Sequence, residues 1–188
     1  MRVIAGTHRS RLLRGPQGFA LRPTSDRVRE ALCSILGNRL PESRFLDLYA
    51  GTGAIGIEAL SRGAAHVTFV ESDARALALL RRNITDCRMN NRTIVCAQTV
   101  KQFFSRPDTW HGPYDILFAD PPYAAVHELE ELLSSMDDRL AAPDAWLVVE
   151  HVKKASLSER LGKAAFLRRY NYGDTALSVF SVSHPGRP

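Results

Sequence analysis

The spacing of apolar residues along this 188-residue chain changes period repeatedly, and the changes spell out an alternating order of elements. From residue 45 the pattern is regular. Residues 45–50 form a mainly apolar run of strand length, followed by a helical stretch through about Arg62 that Gly63 closes. Residues 67–71 give a second strand. Asp73 then caps a long helix whose Leu77, Leu80 and Ile84 fall on one face. Residues 93–97 predict a third strand, 100–104 a short helix, and 114–119 a fourth strand. A helix over 126–140, a fifth strand over 146–150 and a short helix over 156–164 are expected next. Two last strands, 166–172 and 176–182, are separated by Gly173-Asp174-Thr175. That is too short for a crossover helix, so the pair is an antiparallel hairpin.

Ahead of this alternation, residues 2–5 and 9–14 predict two short strands around Gly6-Thr7-His8, and Gly15-Pro16-Gln17-Gly18 breaks the chain. Pro23-Thr24-Ser25-Asp26 supplies N-cap chemistry for a helix with Val28, Ala31, Leu32, Ile35 and Leu36 at helical spacing, and Gly37-Asn38 ends it. The expected architecture is α/β: a doubly wound, mainly parallel, seven-stranded sheet ending in an antiparallel hairpin, with a short N-terminal β-hairpin arm. One domain is expected, divided into a basic arm (1–24), a catalytic core (25–183) and a frayed tail (184–188).

Composition narrows the setting. Hydrophobic residues make up 45% of the chain, and no apolar run approaches the ~20 residues of a membrane span. Three scattered cysteines (Cys33, Cys87, Cys96) form neither a disulfide framework nor a zinc motif, which points to a reducing cytoplasm, and the six histidines lack ligand spacing, so no metal is expected. The net charge of +5 is unevenly distributed. Residues 1–29 carry seven arginines and one acid, a balance of +6, whereas residues 30–188 carry 18 basic and 19 acidic residues. Arginine segregated in this way is a nucleic-acid footprint, because each phosphate contact releases counterions. Arg2, Arg9, Arg11, Arg14 and Arg22 are the candidate RNA contacts; the plainer reading is a solvated arm.

Two motifs sit where strands end. Gly51-Thr52-Gly53-Ala54-Ile55-Gly56 matches G-x-G-x-x-G between the first strand and its helix, and Glu71 ends the second strand 20 residues after Gly51. Glycines allow a tight turn and close backbone approach, and a carboxylate at Glu71 can accept from a ribose. A nicotinamide dinucleotide and S-adenosyl-L-methionine both fit that loop. Asp120-Pro121-Pro122-Tyr123 follows the fourth strand. Two prolines stiffen the loop and remove two N–H donors, the acid and the carbonyls accept hydrogen bonds, and the ring can stack on a planar base. This loop suits methyl transfer to an exocyclic nitrogen, and the chain leaves little room for the substrate domain of a dehydrogenase.

Asp47-Leu48-Tyr49-Ala50-Gly51-Thr52-Gly53, Glu71 and Asp120-Pro121-Pro122-Tyr123 resemble the class I S-adenosylmethionine-dependent methyltransferases. The N-terminal Arg2-Val3-Ile4-Ala5-Gly6, the block from Arg22-Pro23-Thr24-Ser25-Asp26-Arg27 to Leu32 and the closing Tyr172-Gly173-Asp174-Thr175 resemble one bacterial branch, the RsmD-type guanine-N2 methyltransferases of small-subunit ribosomal RNA. The resemblance covers nearly the whole chain. It implies a cofactor site at Asp47, Ala50, Gly51, Thr52, Gly53, Gly56, Glu71, Ser72 and Gln98, with Gln98 standing where the family usually has an acid for the adenine amine. It implies catalytic work by Asp120, Pro121, Pro122 and Tyr123, and a monomer acting on ribosomal RNA or a small-subunit assembly particle; Thr24 and Arg27 either cover the cofactor's methionine end or simply cap the helix, and Glu58 is read as structural. Cys33 replaces an expected phenylalanine. Rival readings are methylation of DNA adenine N6 or of a protein glutamine, and a non-catalytic RNA-binding assembly factor.

Overall fold

The computed structural model describes residues 1–15 and 25–182, with the backbone alone at Tyr123. One sheet runs through it. Its strands are β1 (Arg44–Leu48), β2 (His66–Glu71), β3 (Thr93–Ala97), β4 (Tyr114–Ala119), β5 (Ala141–Val152), β6 (Arg160–Leu161), β7 (Ala164–Tyr172) and β8 (Thr175–Val182), in the order β3-β2-β1-β4-β5-β8-β7-β6. The first five are parallel; β8 joins β5 antiparallel, and β7 and β6 continue antiparallel. Strand order reverses between β1 and β4, and ligands of doubly wound sheets bind at the carboxyl ends beside such a switch.

Alternation along the strands divides the core in two. One face packs under α1 (Asp26–Leu36), α2 (Ala54–Ser61) and α3 (Ala74–Asp86), and it takes Phe45, Val67, Phe69, Ile116, Phe118, Val148, Leu177 and Val179. The other packs under α4 (Val100–Phe104) and α5 (Val126–Ser134), and it takes Leu46, Leu48, Leu117, Leu147, Val149 and Phe180. Caps set the helix starts. The Ser25 hydroxyl accepts from the Val28 N–H (3.3 Å), Asp73 accepts from Arg75 and Ala76 (2.9 and 2.8 Å), and Thr99 and Gln102 form a reciprocal capping box.

Four expectations change. The sheet has eight strands, because residues 156–164 form the edge strand β6 and its flanking turns rather than a helix. Leu161 is buried there against the second core, and Gly162, at φ 59°, turns the chain into β7. The helix expected over 126–140 stops at Ser134. The hydroxyls of Ser134 and Ser135 bond back to the carbonyls of Glu130 and Leu132, competing with the helix, and Asp137 starts a turn that receives the Leu140 N–H (3.1 Å). The fifth strand begins earlier and runs longer than expected, with an irregularity in its pairing to β4 near Tyr114. The arm hairpin reduces to one antiparallel bridge, Arg2 to Leu12, with backbone hydrogen bonds around it.

That arm is nonetheless fixed along its described length. Val3 and Leu13 are buried. Glu58, buried in α2, accepts from the backbone N–H groups of Ile4 (2.7 Å) and Ala5 (3.0 Å) and from Arg62 (2.8 Å). Arg29, also fully buried, donates to the Arg2 carbonyl (2.8 Å) and to Asp26 (2.7 Å), and its Nη1 lies 4.0 Å from Glu58. A Cβ on Gly6 would meet the Ser61 carbonyl oxygen at 1.9 Å, so only glycine lets the arm lie on α2. Glu58 is thus the structural residue expected. Residues 16–24, and with them Arg22 and Thr24, lie outside the described residues, as does the tail from 183 onward.

Removing Glu58 leaves the Ile4 and Ala5 N–H groups and Arg62 without their acceptor and takes away one of the two carboxylates near the buried Arg29. Glu58→Ala should lower unfolding free energy by about 3–5 kcal/mol in urea titrations, and Glu58→Gln by clearly less. A Glu58→Ala protein as stable as the parent would contradict the anchoring role.

Candidate active site

The C-terminal ends of β1, β2, β4 and β5 open into a cavity of about 800 Å³, a size suited to a small organic molecule together with part of a second. Its floor is the loop joining β1 to α2. Tyr49 (φ 61°), Gly51 (φ 56°) and Gly53 (φ 79°) all take left-handed backbone, which curls the loop tightly over the strand ends. A tyrosine in that region is a strained residue of the kind that collects at functional sites.

Carboxylates hold the loop. Glu71 accepts from the backbone N–H groups of Gly51, Ser72 and Asp73, each at 2.7 Å. Three of its roughly four lone-pair positions are so occupied, leaving about one for a ligand hydroxyl. Asp47 accepts from the Gly56 N–H at 3.0 Å and is 1% exposed. Burial pushes its carboxyl up to about 8; the Gly56 hydrogen bond opposes this, and the nearby Asp120 and Glu71 charges reinforce it. From behind, the buried Asn83 of α3 donates to the Thr52 carbonyl (2.9 Å) and to the Arg14 carbonyl (3.1 Å), and accepts from the Arg14 N–H (2.7 Å). The loop is therefore tied to the N-terminal arm through one side chain. Because Asp47 and Glu71 already take loop N–H groups, a pyrophosphate would have to displace them, whereas a cationic ligand would be attracted by the Glu71 carboxylate.

The expected residues divide by position. Asp47, Ala50, Gly51, Thr52, Glu71, Ser72 and Gln98 border the cavity on the β1–β3 side. Asp120, Pro121 and Pro122 border it on the β4 side. Gly53 and Gly56 do not reach it. A Cβ on Gly53 would strike Leu80 and one on Gly56 the Phe69 ring, each at 2.3 Å, so these two glycines let α2 lie close against α3 and β2. The Pro122 carbonyl receives the Ala125 N–H (2.8 Å), starting the 3-10 turn Tyr123–Ala125. The Tyr123 ring lies outside the described residues. Arg27 is exposed and absent from the cavity lining; Ser25 and Val28, from the same end of α1, line it instead.

Sequence reasoning missed several lining residues. Tyr49 lay within a quoted motif but gave no sign of its backbone. Lys101 and Glu128 pair at 3.4 Å across α4 and α5 at the cavity. Phe118, Glu150 and His151 come from strands that carry no motif, and Thr175, the last residue of the quoted Tyr172-Gly173-Asp174-Thr175, starts β8. His151 is buried; its Nδ1 contacts the Val152 carbonyl (2.9 Å), so that nitrogen carries the proton, and Nε2 accepts from Ser178 (2.8 Å). Burial lowers its pKa.

Of the candidate RNA contacts, Arg2, Arg9, Arg11 and Arg14 are exposed. Arg14 also pairs with Asp86 (3.1 Å), and Arg11 donates to the Asp86 carbonyl, so two of the four are braced against the end of α3. Among the described residues no helix is long and apolar enough to cross a membrane.

Comparison with known proteins gives a consistent picture. A family model described as conserved hypothetical protein 95 matches residues 1–181. YlbH of Bacillus subtilis, which bears a provisional rRNA methyltransferase name, is 32% identical over 181 residues, 96% of this chain and 98% of its own length. The Escherichia coli protein named ribosomal RNA small subunit methyltransferase D is 36% identical over 150 residues, 80% of this chain and 71% of its own. A solved Escherichia coli structure, provisionally named as the methyltransferase yhhF, superposes with a TM-score of 0.83 at 30% identity, covering 97% of this chain and 98% of that one.

Folded Asp47 keeps its proton up to about pH 8, whereas the unfolded chain releases it near pH 4. Its contribution to stability is present below about pH 4 and is lost as the pH rises through about 8. Asp47→Asn, neutral throughout yet still able to accept from Gly56, should flatten the decline in stability of the ligand-free protein between pH 5 and 8.5. Urea titrations at both pH values would check this, and an unchanged slope would contradict it.

Proposed function

The chain belongs to the conserved hypothetical protein 95 family, and on that premise we propose that it transfers a methyl group from S-adenosyl-L-methionine to the exocyclic N2 amine of a guanine in small-subunit ribosomal RNA. The observation that carries the reading is the meeting of two sequence motifs at one cavity. Asp120, Pro121 and Pro122 border the space whose opposite side is built from Asp47, Glu71 and the glycine loop. The family relatives named as ribosomal RNA methyltransferases support the substrate class.

When bound, S-adenosyl-L-methionine supplies an electrophilic methyl group on a sulfonium, whose sulfur keeps the bonding electron pair. The remaining work falls to the protein. Glu71 accepts from a ribose hydroxyl with the lone pair left by its three backbone donors. Gln98, whose backbone N–H is held by the Glu71 carbonyl (3.0 Å), offers its side-chain oxygen to the adenine amine. Glu71 and Asp120 make the site attractive to a cation.

The guanine N2 lone pair is conjugated into the ring, so the amine is a poor nucleophile until it is oriented. Asp120 accepts one of its N–H bonds. The Pro121 carbonyl accepts the other, since that of Pro122 is engaged by Ala125. Holding the amine in this way aims its lone pair at the incoming methyl group and supplies much of the rate enhancement by positioning. The proton that N2 sheds on methylation lies within reach of Asp120. The base must leave any helical stack to enter the cavity.

Asp120→Ala should reduce kcat for methylation of ribosomal RNA by roughly 100-fold or more, while S-adenosylhomocysteine affinity measured by calorimetry stays close to that of the parent. Wild-type turnover by this variant would remove Asp120 from the mechanism. Replacing Arg9, Arg11 and Arg14 together with Ala should weaken RNA binding and reduce its salt slope by about one per lost phosphate contact. Equal loss of cofactor affinity in that variant would point to a disturbed fold instead.

A further inference from the structure

Strand register places a second carboxylate beside Asp120. In the parallel pairing of β4 with β5, Phe118 lies opposite Val148 and Ala119 opposite Val149. Continued by one residue, that register sets Asp120, which follows β4 directly, opposite Glu150 within β5, a strand spacing of about 4.8 Å. Phe118 and Val148 share the face under α1. Alternation returns Glu150 to that face two residues later, within β5. Both residues line the cavity, with Ser25 and Val28 from the start of α1 and Thr175 from the start of β8. Glu150 is 8% exposed and faces Leu177 across the antiparallel pairing with β8. It lies on the side of β4 away from β1, so β4 stands between it and the strand that carries Asp47.

We propose that Glu150 reads the N1–H of the target guanine and so sets the enzyme's choice of base. The inference rests on the guanine-N2 reading given above and deepens it. Guanine presents N1–H and N2–H₂ as adjacent donors, and two carboxylates lining one cavity from adjacent chain segments present matching acceptors. Adenine presents its amine beside N1, a lone pair. That lone pair would face the Glu150 carboxylate with no hydrogen between them, and two acceptors set against each other reject the wrong ligand strongly. Glu150 therefore acts on specificity, while Asp120 orients the amine that reacts.

2-Aminopurine separates the two roles, because it keeps the N2 amine but carries a lone pair at N1. The accepting RNA segment is prepared with guanine or 2-aminopurine at the target position, and kcat and KM are measured for the full-length wild-type protein and for Glu150→Gln. The glutamine amide can donate to an unprotonated N1, so the variant should lose activity on guanine and gain on 2-aminopurine. The preference for guanine should fall by roughly tenfold or more, the worth of one hydrogen bond to a charged acceptor. Calorimetry with S-adenosylhomocysteine should give the same affinity for both proteins. Wild-type protein that methylates guanine and 2-aminopurine equally well overturns the inference whether or not the variant folds. So does an unchanged preference in a folded Glu150→Gln. Wild-type protein inactive on guanine overturns the underlying reading and this inference with it.

Discussion

The loop between β1 and α2 is held by carboxylates, and the site depends on that arrangement. Glu71 gathers the N–H groups of Gly51, Ser72 and Asp73, and Asp47 takes that of Gly56. In many nucleotide sites such backbone donors face a phosphate. Here they are consumed by acids, and the outcome is a pocket whose unbalanced charge is negative. Such a wall favours a sulfonium over a pyrophosphate and leaves lone pairs for hydroxyl and amine donors. The cost is visible at Asp47, where burial raises the carboxyl to about 8.

The same helices that shape this cavity also carry the arginine arm. Glu58 of α2 and Arg29 of α1 hold the backbone of residues 2–5, and Asn83 of α3 holds Arg14 with one end of its amide while donating to Thr52 in the cofactor loop. The arm is thus a fixed platform over its described length, and less ordering entropy is lost when it meets a polyanion than a loose arm would lose. The arm that carries the proposed RNA contacts and the loop at the cavity share one set of buried polar contacts.

Much of the fold was legible because most elements coincide with clean apolar periods. The boundaries of β3, α4 and β4 match the sequence pattern residue for residue. Misses arise where local signals conflict with tertiary pairing. Residues 156–164 have apolar spacing compatible with a helix, yet Leu161 gains more by packing under α5 as an edge strand. The 126–140 segment is apolar enough for a longer helix, but its serines turn the backbone at Ser134. At the site, the glycine loop, Glu71 and the Asp120 loop were readable because each is a motif with a chemical reason. Glu150 was not. It lies within an ordinary strand, and only the register with β4 brings it to the edge of the cavity that carries Asp120. Gly53 and Gly56 show the converse, since their motif suggested ligand contact and their surroundings require close helix packing.

The most direct test of the account is to incubate the purified protein with tritiated-methyl S-adenosyl-L-methionine and small ribosomal subunits from cells lacking the activity, then to map the labelled nucleotide. The account predicts label in small-subunit ribosomal RNA, on N2 of a single guanine. Label on an adenine, on a ribosomal protein or on no component of the particle would contradict it.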